Sequence, residues 1–234
     1  MGERRSDLSS PARDAAAAAA LERVEEGMTL GLGSGRALWR LIELIAERWP
    51  QGSPLKAVVA SDRTAERAEA AGIEVVALGD GVRLDLALDG ADEVAPDLGL
   101  IKGGGAALLR EKLVISAAKR FVVVAETSKL VERLGETHAL PVEVVRFAWA
   151  QTRARVLDLL PAAELREGEP GSPVVTDEGH LLLDCALPES GDLAELARAL
   201  KGTVGVVEHG LFLGLAEVAL LGRDDGGVEV VRAD

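Results

Sequence analysis

The amino-acid sequence predicts an α/β protein in which a parallel sheet, covered on both faces, is joined to a smaller α+β unit with an antiparallel sheet. Three observations carry this. Up to Ser128, short uninterrupted apolar runs alternate with helical segments, the pattern of strands buried on both faces. A glycine turn, Gly31-Leu32-Gly33-Ser34-Gly35, joins the first such run to a helix. After Ser128 the rhythm changes to strand, helix, hairpin and helix.

In order, Ser10-Pro11 opens a helix with a capping hydroxyl and proline in the first turn. The alanine run 15–20 propagates it, and Gly27 is expected to close it. Residues 29–32 read as a strand, 37–48 as a helix and 55–60 as the next strand. Residues 63–71 form a helix ended by Gly72, and strands are expected at 74–78 and 84–88. A loop over 89–105, a helix over 106–118 and a strand over 121–125 complete the first unit. Then come a strand at 141–145, a helix over 148–160 stopped by Pro161, and a hairpin of 174–176 with 181–183 around Asp177-Glu178-Gly179-His180. Asp192 caps a helix to Leu200. Apolar runs at 204–207 and 216–221, and an edge strand at 228–231, return the chain to the first unit. The expected division is 1–131 with 206–234, and 132–205.

Composition bounds function. A chain of 234 residues can bury a core without covalent staples, and 48% hydrophobic with 28% charged residues excludes wholesale disorder. Twenty-six basic against 39 acidic residues leave a net charge of −13, which speaks against a nucleic-acid partner. A small anion can still bind in a locally positive pocket. The single Cys185 excludes an internal disulfide framework and a multi-cysteine zinc site, and its apolar surroundings read as core. The start, Met1-Gly2-Glu3-Arg4-Arg5-Ser6, lacks a leader's apolar core, and the run 211–221 is broken by Glu217, short of the ~18 residues of a membrane span. The expected setting is cytoplasmic, with no membrane partner.

Four stretches carry candidate chemistry. The glycine turn at 31–35 offers backbone N–H groups and a helix start to an anion. With Arg36 where a third glycine would stand, it is not a dinucleotide fingerprint, and a plain tight turn is the alternative. Asp89-Gly90-Ala91-Asp92-Glu93 places three carboxylates after an apolar strand, where open α/β sheets bind ligands. A divalent metal on Asp89, Asp92 and Glu93 is the competing use. Lys102-Gly103-Gly104-Gly105 puts a cation and exposed amides before a helix, suited to a developing oxyanion, or else forms a flexible linker. Glu111, in Arg110-Glu111-Lys112, has Ala107, Leu108, Val114 and Ile115 three and four positions away. Burial there raises a carboxyl's pKa and makes a general base; a surface ion pair is the alternative. Trp39 and Trp49 read as core or interface, and Ser61-Asp62-Arg63-Thr64 as a helix cap or a second anion loop.

In this order and spacing the motifs resemble the type A ribose-5-phosphate isomerases. The resemblance runs through 31–35, 88–93, 100–112, 127–129, 140–144 and 205–212. It implies a Rossmann-like domain with a smaller α+β domain, assembled as a homodimer or homotetramer. It also implies interconversion of D-ribose 5-phosphate and D-ribulose 5-phosphate in the non-oxidative pentose phosphate pathway, through an enediolate and without a metal or organic cofactor. By position, Glu111 matches the proton-transferring base, and Lys102 with the amides of Gly103, Gly104 and Gly105 the group that neutralises the enediolate oxygens. Asp89 matches the carboxylate that assists ring opening. Asp92 matches a binder of sugar hydroxyls, beside Gly90 and Ala91. Lys129 and the loop Ser34-Gly35-Arg36-Ala37 match substrate-binding positions, and Arg13 stands where the family often has lysine. One departure matters: the family usually reads Thr-Gly-Ser-Thr where this chain has Ser34-Gly35-Arg36-Ala37, so two hydroxyls are replaced by a guanidinium and a methyl. The alternatives are a non-catalytic sugar-phosphate sensor and an isomerase of a different phosphosugar. A related phosphosugar deaminase or lactonase would place a histidine near these loops, and none is there.

Overall fold

The structure, a computed structural model, describes residues 10–233; the opening residues 1–6 read above for a leader lie outside them. Helix α1 (Pro11–Leu21) begins as expected, with the Arg13 amide donating to the Ser10 hydroxyl at 3.2 Å and Pro11 in the first turn. It ends at Leu21, short of the expected glycine, and Gly27 instead lies in the turn before strand β1 (Thr29–Leu32). The chain continues through α2 (Arg36–Arg48), β2 (Lys56–Val59), α3 (Asp62–Ala70), β3 (Glu74–Val75) and β4 (Leu86–Asp89). The expected loop 89–105 contains two short antiparallel strands, β5 (Glu93–Val94) and β6 (Leu100–Ile101). Helix α4 (Leu108–Ser116) and β7 (Phe121–Glu126) follow, the latter running into a 3-10 turn at Thr127–Lys129. Next come β8 (Leu140–Val144), α5 (Trp149–Val156), β9 (Ala162–Leu165), β10 (Glu167–Glu169), β11 (Ser172–Pro173) and β12 (Leu181–Ala186). Helix α6 (Leu193–Lys201), β13 (Val206–His209), β14 (Leu211–Phe212), β15 (Val218–Gly222) and β16 (Val228–Val231) end the chain.

The larger sheet has the order β16-β15-β7-β4-β1-β2-β3, parallel throughout except for the β15–β16 edge. Successive residues alternate between its faces. Leu30, Leu32, Leu86, Leu88, Val122 and Val124 pack with α1 and α2 in one core, and Ala87, Phe121, Val123 and Ala125 pack with Ile115 and Phe212 in another. Strand β1 lies between β2 and β4, so the chain leaves the centre of the sheet in opposite directions. Loops diverge at such a switch point and leave a crevice at the carboxyl ends of the strands. The pairing of Leu32 with Leu88 sets Gly33 beside Asp89 there.

The smaller sheet is antiparallel, in the order β13-β8-β12-β9, over a core that includes Val142, Val144, Val156, Leu181, Leu183 and Leu200. Two expectations change. The stretch expected to form the 174–176 strand contributes one bridge, Val175 to Leu181, while β9 pairs along β12 although Ala162-Ala163-Glu164-Leu165 carries no β-branched or aromatic residue. The return to the larger sheet, expected from residue 206, comes later. Strand β13 is the edge of the smaller sheet against β8, β14 pairs with β6, and only β15 reaches β7.

Candidate active site

A cleft of about 510 Å³ opens at the carboxyl ends of β1, β2, β4 and β7. At its floor lies a buried ammonium between two buried carboxylates. Lys102 Nζ is 3.0 Å from Asp89 Oδ2 and 3.2 Å from Glu111 Oε2, and it donates to the Gly90 carbonyl at 2.7 Å. The three side chains are all under 5% exposed, Asp89 at 1%, Lys102 at 3% and Glu111 at 4%.

Each comes from a different element. Asp89 ends β4 and is oriented through Oδ1, which accepts the amides of Gly90 at 2.7 Å and Ser34 at 3.2 Å. Gly33 allows this: a Cβ there would lie 1.8 Å from the Asp89 carboxyl carbon. Lys102 follows β6, its amide donating to the Gly210 carbonyl at 3.0 Å. Glu111 sits in the first turns of α4, whose start has no side-chain cap. Of its neighbours Arg110 and Lys112, the second also turns inward. Lys112 Nζ donates to Glu208, to the His209 carbonyl and to the Leu211 carbonyl at 2.6–3.0 Å, tying α4 to β13 and β14.

Electrostatics follow from this burial. Desolvation, reinforced by the charge of Asp89 and opposed by Lys102, pushes the Glu111 carboxyl up to about 8. Burial likewise raises Asp89, against the pull of Lys102. For Lys102, burial acts to lower the pKa, but the two carboxylates outweigh it and hold the ammonium above its ordinary range. Two carboxylates share one cation, so the site keeps a proton more readily than a free carboxylate would. Beyond the Lys102 ammonium, Asp89 Oδ2 and Glu111 Oε2 have no hydrogen-bond donor among the described residues.

The other expected residues are distributed as follows. Ser34, Gly35, Arg36, Ala37, Gly90, Ala91, Asp92, Gly103, Gly105 and Lys129 all line the cleft. Asp89 lies beneath its surface, and Gly104 does not line it but donates its amide to Asp92 Oδ2 at 2.7 Å. Arg36 is exposed and has no ion-pair partner among the described residues. Arg13, buried, reaches the cleft and pairs with Glu126 at 2.6 Å. The carboxylates of the rival metal reading do not converge. Asp89 faces Lys102, Asp92 takes the Gly104 amide, and Glu93 accepts the amides of Gly135, Thr137 and His138 and the Thr137 hydroxyl. Those donors outweigh the burial of Glu93 and lower its pKa.

Several lining residues had no distinctive signal. Trp39, expected as core or interface, is 7% exposed and also lines the cleft, with the Arg63 guanidinium 4.1 Å from its ring centroid. Ser61 does more than cap α3. Its hydroxyl lies 3.1 Å from the Ser34 hydroxyl, and Thr64 donates to the Gly33 carbonyl at 3.0 Å, joining the β2 loop to the glycine turn. Val175, Thr176 and Asp177, from the turn before β12, form a wall that only the tertiary fold brings over.

Comparisons with known proteins agree with this arrangement. Residues 56–226 match the family model described as ribose 5-phosphate isomerase A (phosphoriboisomerase A). A ribose-5-phosphate isomerase A from Synechococcus sp. (strain JA-3-3Ab) is 46% identical over 222 residues, 94% of this chain and 96% of the relative. One from Caulobacter vibrioides (strain NA1000 / CB15N) is 48% identical over 217 residues, 91% and 94% of the two chains. Among solved structures, a D-ribose-5-phosphate isomerase in complex with phospho-erythronic acid superposes with a TM-score of 0.88 at 33% identity, covering 94% of this chain and 97% of that one. The Plasmodium falciparum ribose 5-phosphate isomerase does so with 0.87 at 30% identity, covering 94% and 98%. The chain belongs to the ribose 5-phosphate isomerase A family.

Proposed function

We propose that the chain interconverts D-ribose 5-phosphate and D-ribulose 5-phosphate, within the pentose phosphate pathway, with Glu111 as the proton-transferring base. The observation that carries this is the buried Lys102 ammonium held between Asp89 and Glu111 at the cleft floor. In the aldose-to-ketose direction the ionised Glu111 takes the proton from C2. The electron pair of that C–H bond forms the C1–C2 double bond of an enediolate, and the negative charge moves to O1. Lys102 and the amides of the glycine loop, set in a low-dielectric site, favour that charge over the neutral sugar. Glu111 then returns its proton to C1, while the O2 hydroxyl proton is transferred to O1 and the C2 carbonyl forms. Asp89 shuttles the hydroxyl proton for ring opening.

The phosphate sits at the other end of the cleft. The glycine turn, Lys129, Arg36 and Arg13 supply amides and positive charge there, with Arg36 taking the part of the hydroxyls that the family usually carries. A guanidinium makes charge-assisted bonds to phosphate, so activity survives the altered loop. Asp92 binds sugar hydroxyls between the two ends. Assembly as a homodimer or homotetramer, implied by the resemblance, and the cytoplasmic setting expected from the sequence belong to the same proposal; among the described residues no helix is long and apolar enough to cross a membrane. The direct test is ribulose 5-phosphate formation in chelator, wild type beside Glu111→Gln. Chelator-resistant turnover that collapses in the variant supports the mechanism. A wild type that binds the sugar phosphate without turning it over overturns it in favour of a sensor.

A further inference from the structure

Arg166 follows β9 in the smaller sheet and lies outside the cleft lining, yet it grips the glycine loop from behind. Its Nη1 donates to the Gly103 carbonyl at 2.8 Å and to the Gly104 carbonyl at 3.2 Å. The rest of the fork is taken by Asp184 on β12, which accepts from Nε at 2.9 Å and from Nη2 at 2.5 Å. The backbone of Arg166 is itself fixed, its amide donating to Leu182 and its carbonyl accepting from Val174, both at 2.9 Å. The side chain is 15% exposed, so the grip is largely shielded from water.

The consequence follows from peptide geometry. In a trans peptide the N–H points opposite to the C=O of the same plane, and no cis peptide occurs among the described residues. Turning the Gly103 carbonyl toward Arg166 therefore aims the Gly104 N–H the other way, where it meets Asp92 Oδ2 at 2.7 Å. Turning the Gly104 carbonyl the same way aims the Gly105 N–H toward the cleft, which Gly105 lines. Glycine peptides have little preference of their own between such orientations, and Gly103 stands at φ +107°. The Ala106 amide also fixes the Gly103 carbonyl, donating to it at 3.0 Å, so the external clamp adds to that turn and bears most on the peptide between Gly104 and Gly105.

We propose that Arg166 is a positioning residue for the reaction: acting through the backbone, it aims the Gly105 amide at the enediolate oxygen and, through the Gly104 amide, holds Asp92 toward the sugar. This rests on the isomerase reading of the cleft and adds to it a residue of the smaller sheet that touches no reacting atom. A planar guanidinium keeps Nε and Nη2 on Asp184 while Nη1 reaches both carbonyls, a rigid spacing between anchor and grip that the single nitrogen of a lysine does not reproduce.

The test uses the full chain with Arg166→Met, Arg166→Lys, Arg166→Ala and Asp184→Asn, each checked for a cooperative melt. Arg166→Met is expected to lower kcat about 10- to 100-fold, somewhat less than outright removal of an oxyanion donor, with KM for ribose 5-phosphate within about threefold. Inhibition by phospho-erythronic acid, whose carboxylate carries two oxygens like the enediolate, is expected to weaken in parallel with kcat/KM. Competition by inorganic phosphate, which engages only the far end of the cleft, stays unchanged. Arg166→Lys recovers little, and added methylguanidine restores part of the turnover of Arg166→Ala. If Arg166→Met does not fold, Asp184→Asn, which keeps the guanidinium and loosens its anchor, is expected to lower kcat with the same inhibition pattern.

Wild-type kcat in folded Arg166→Met or Asp184→Asn overturns the proposal. So does a loss confined to melting temperature, or a rise in KM that moves phosphate and phospho-erythronic acid equally. A wild type with no isomerase activity overturns the underlying reading instead, and the two failures are told apart by that one control.

Discussion

Replacing Glu111 by glutamine separates what this carboxyl does for the reaction from what it costs the fold. Glu111 is 4% exposed, and burial, with Asp89 adding to it, moves its pKa from 4.5 up to about 8. Between those values the folded chain holds a proton that the unfolded chain has released. Stability therefore falls as pH rises through that interval and levels off above it. At about 1.4 kcal/mol per pH unit, the loss between pH 4.5 and pH 7 comes to about 3 kcal/mol. Glutamine keeps the shape of the protonated acid and has no such proton to lose. Glu111→Gln is expected to match wild type near pH 4.5 and to exceed it by about 3 kcal/mol at pH 7, or about 6–12 °C in Tm for a chain of this size. Turnover falls at least about 100-fold, the typical worth of a positioned base. Thermal melts of both proteins across pH 4.5–8, run beside ribulose 5-phosphate formation, measure the two effects together. A stability gap that does not widen with pH refutes the reasoning, because the contact with Lys102 at 3.2 Å would then outweigh burial. Retention of more than about a tenth of the activity removes Glu111 from the role of base.

Other expectations follow from the same geometry. The wild-type log kcat/KM is expected to rise with pH at a slope near one and level off near pH 8, since Glu111 in its proposed role as base must be ionised and its pKa is raised to about 8; a profile already flat from pH 5 contradicts this. Arg36→Ala raises KM for ribose 5-phosphate about 10- to 100-fold with kcat within about twofold, the loss of one charge-assisted contact; an unchanged KM makes Arg36 a bystander. Gly33→Ala sets a methyl 1.8 Å from the Asp89 carboxyl carbon, so the β1 turn or Asp89 must move, and both Tm and turnover fall; a variant with wild-type kcat shows that the turn gives way without disturbing Asp89.

What the sequence reveals of this molecule depends on whether the signal is local. The two-faced strands are legible because Leu86, Ala87 and Leu88 must each be apolar when both sides of β4 are covered. The inward turn of Glu111 is legible from its neighbours Ala107, Leu108, Val114 and Ile115, of which all four are buried. Strands β5 and β6 are hidden, being two residues each and held by each other, by β14 and by the bridge from Val94 to Leu130. Strand β9 is hidden because its stability comes from pairing with β12 and from nothing in its own residues. Arg166 and Asp177 reach the glycine loop and the cleft from the smaller sheet, so no motif around them announces it.

Gly33 and Gly210 answer one steric demand. An ammonium within 3.2 Å of two carboxylates, all buried, leaves no room for a side chain where the backbone passes closest to them. A Cβ at Gly33 would enter the Asp89 carboxyl, and one at Gly210 would lie 2.2 Å from the Lys102 carbonyl oxygen. The Gly210 amide and carbonyl meanwhile bond Pro141 and Lys102, so that same approach holds the lysine in place. Close backbone packing also excludes water, which raises the Glu111 pKa toward the range where a base works at neutral pH and strengthens every dipole aimed into the cleft. The destabilisation from burying a second carboxylate and the strength of the site thus share one cause. A variant that relieves the first by opening the glycine contacts is expected to lose the second with it.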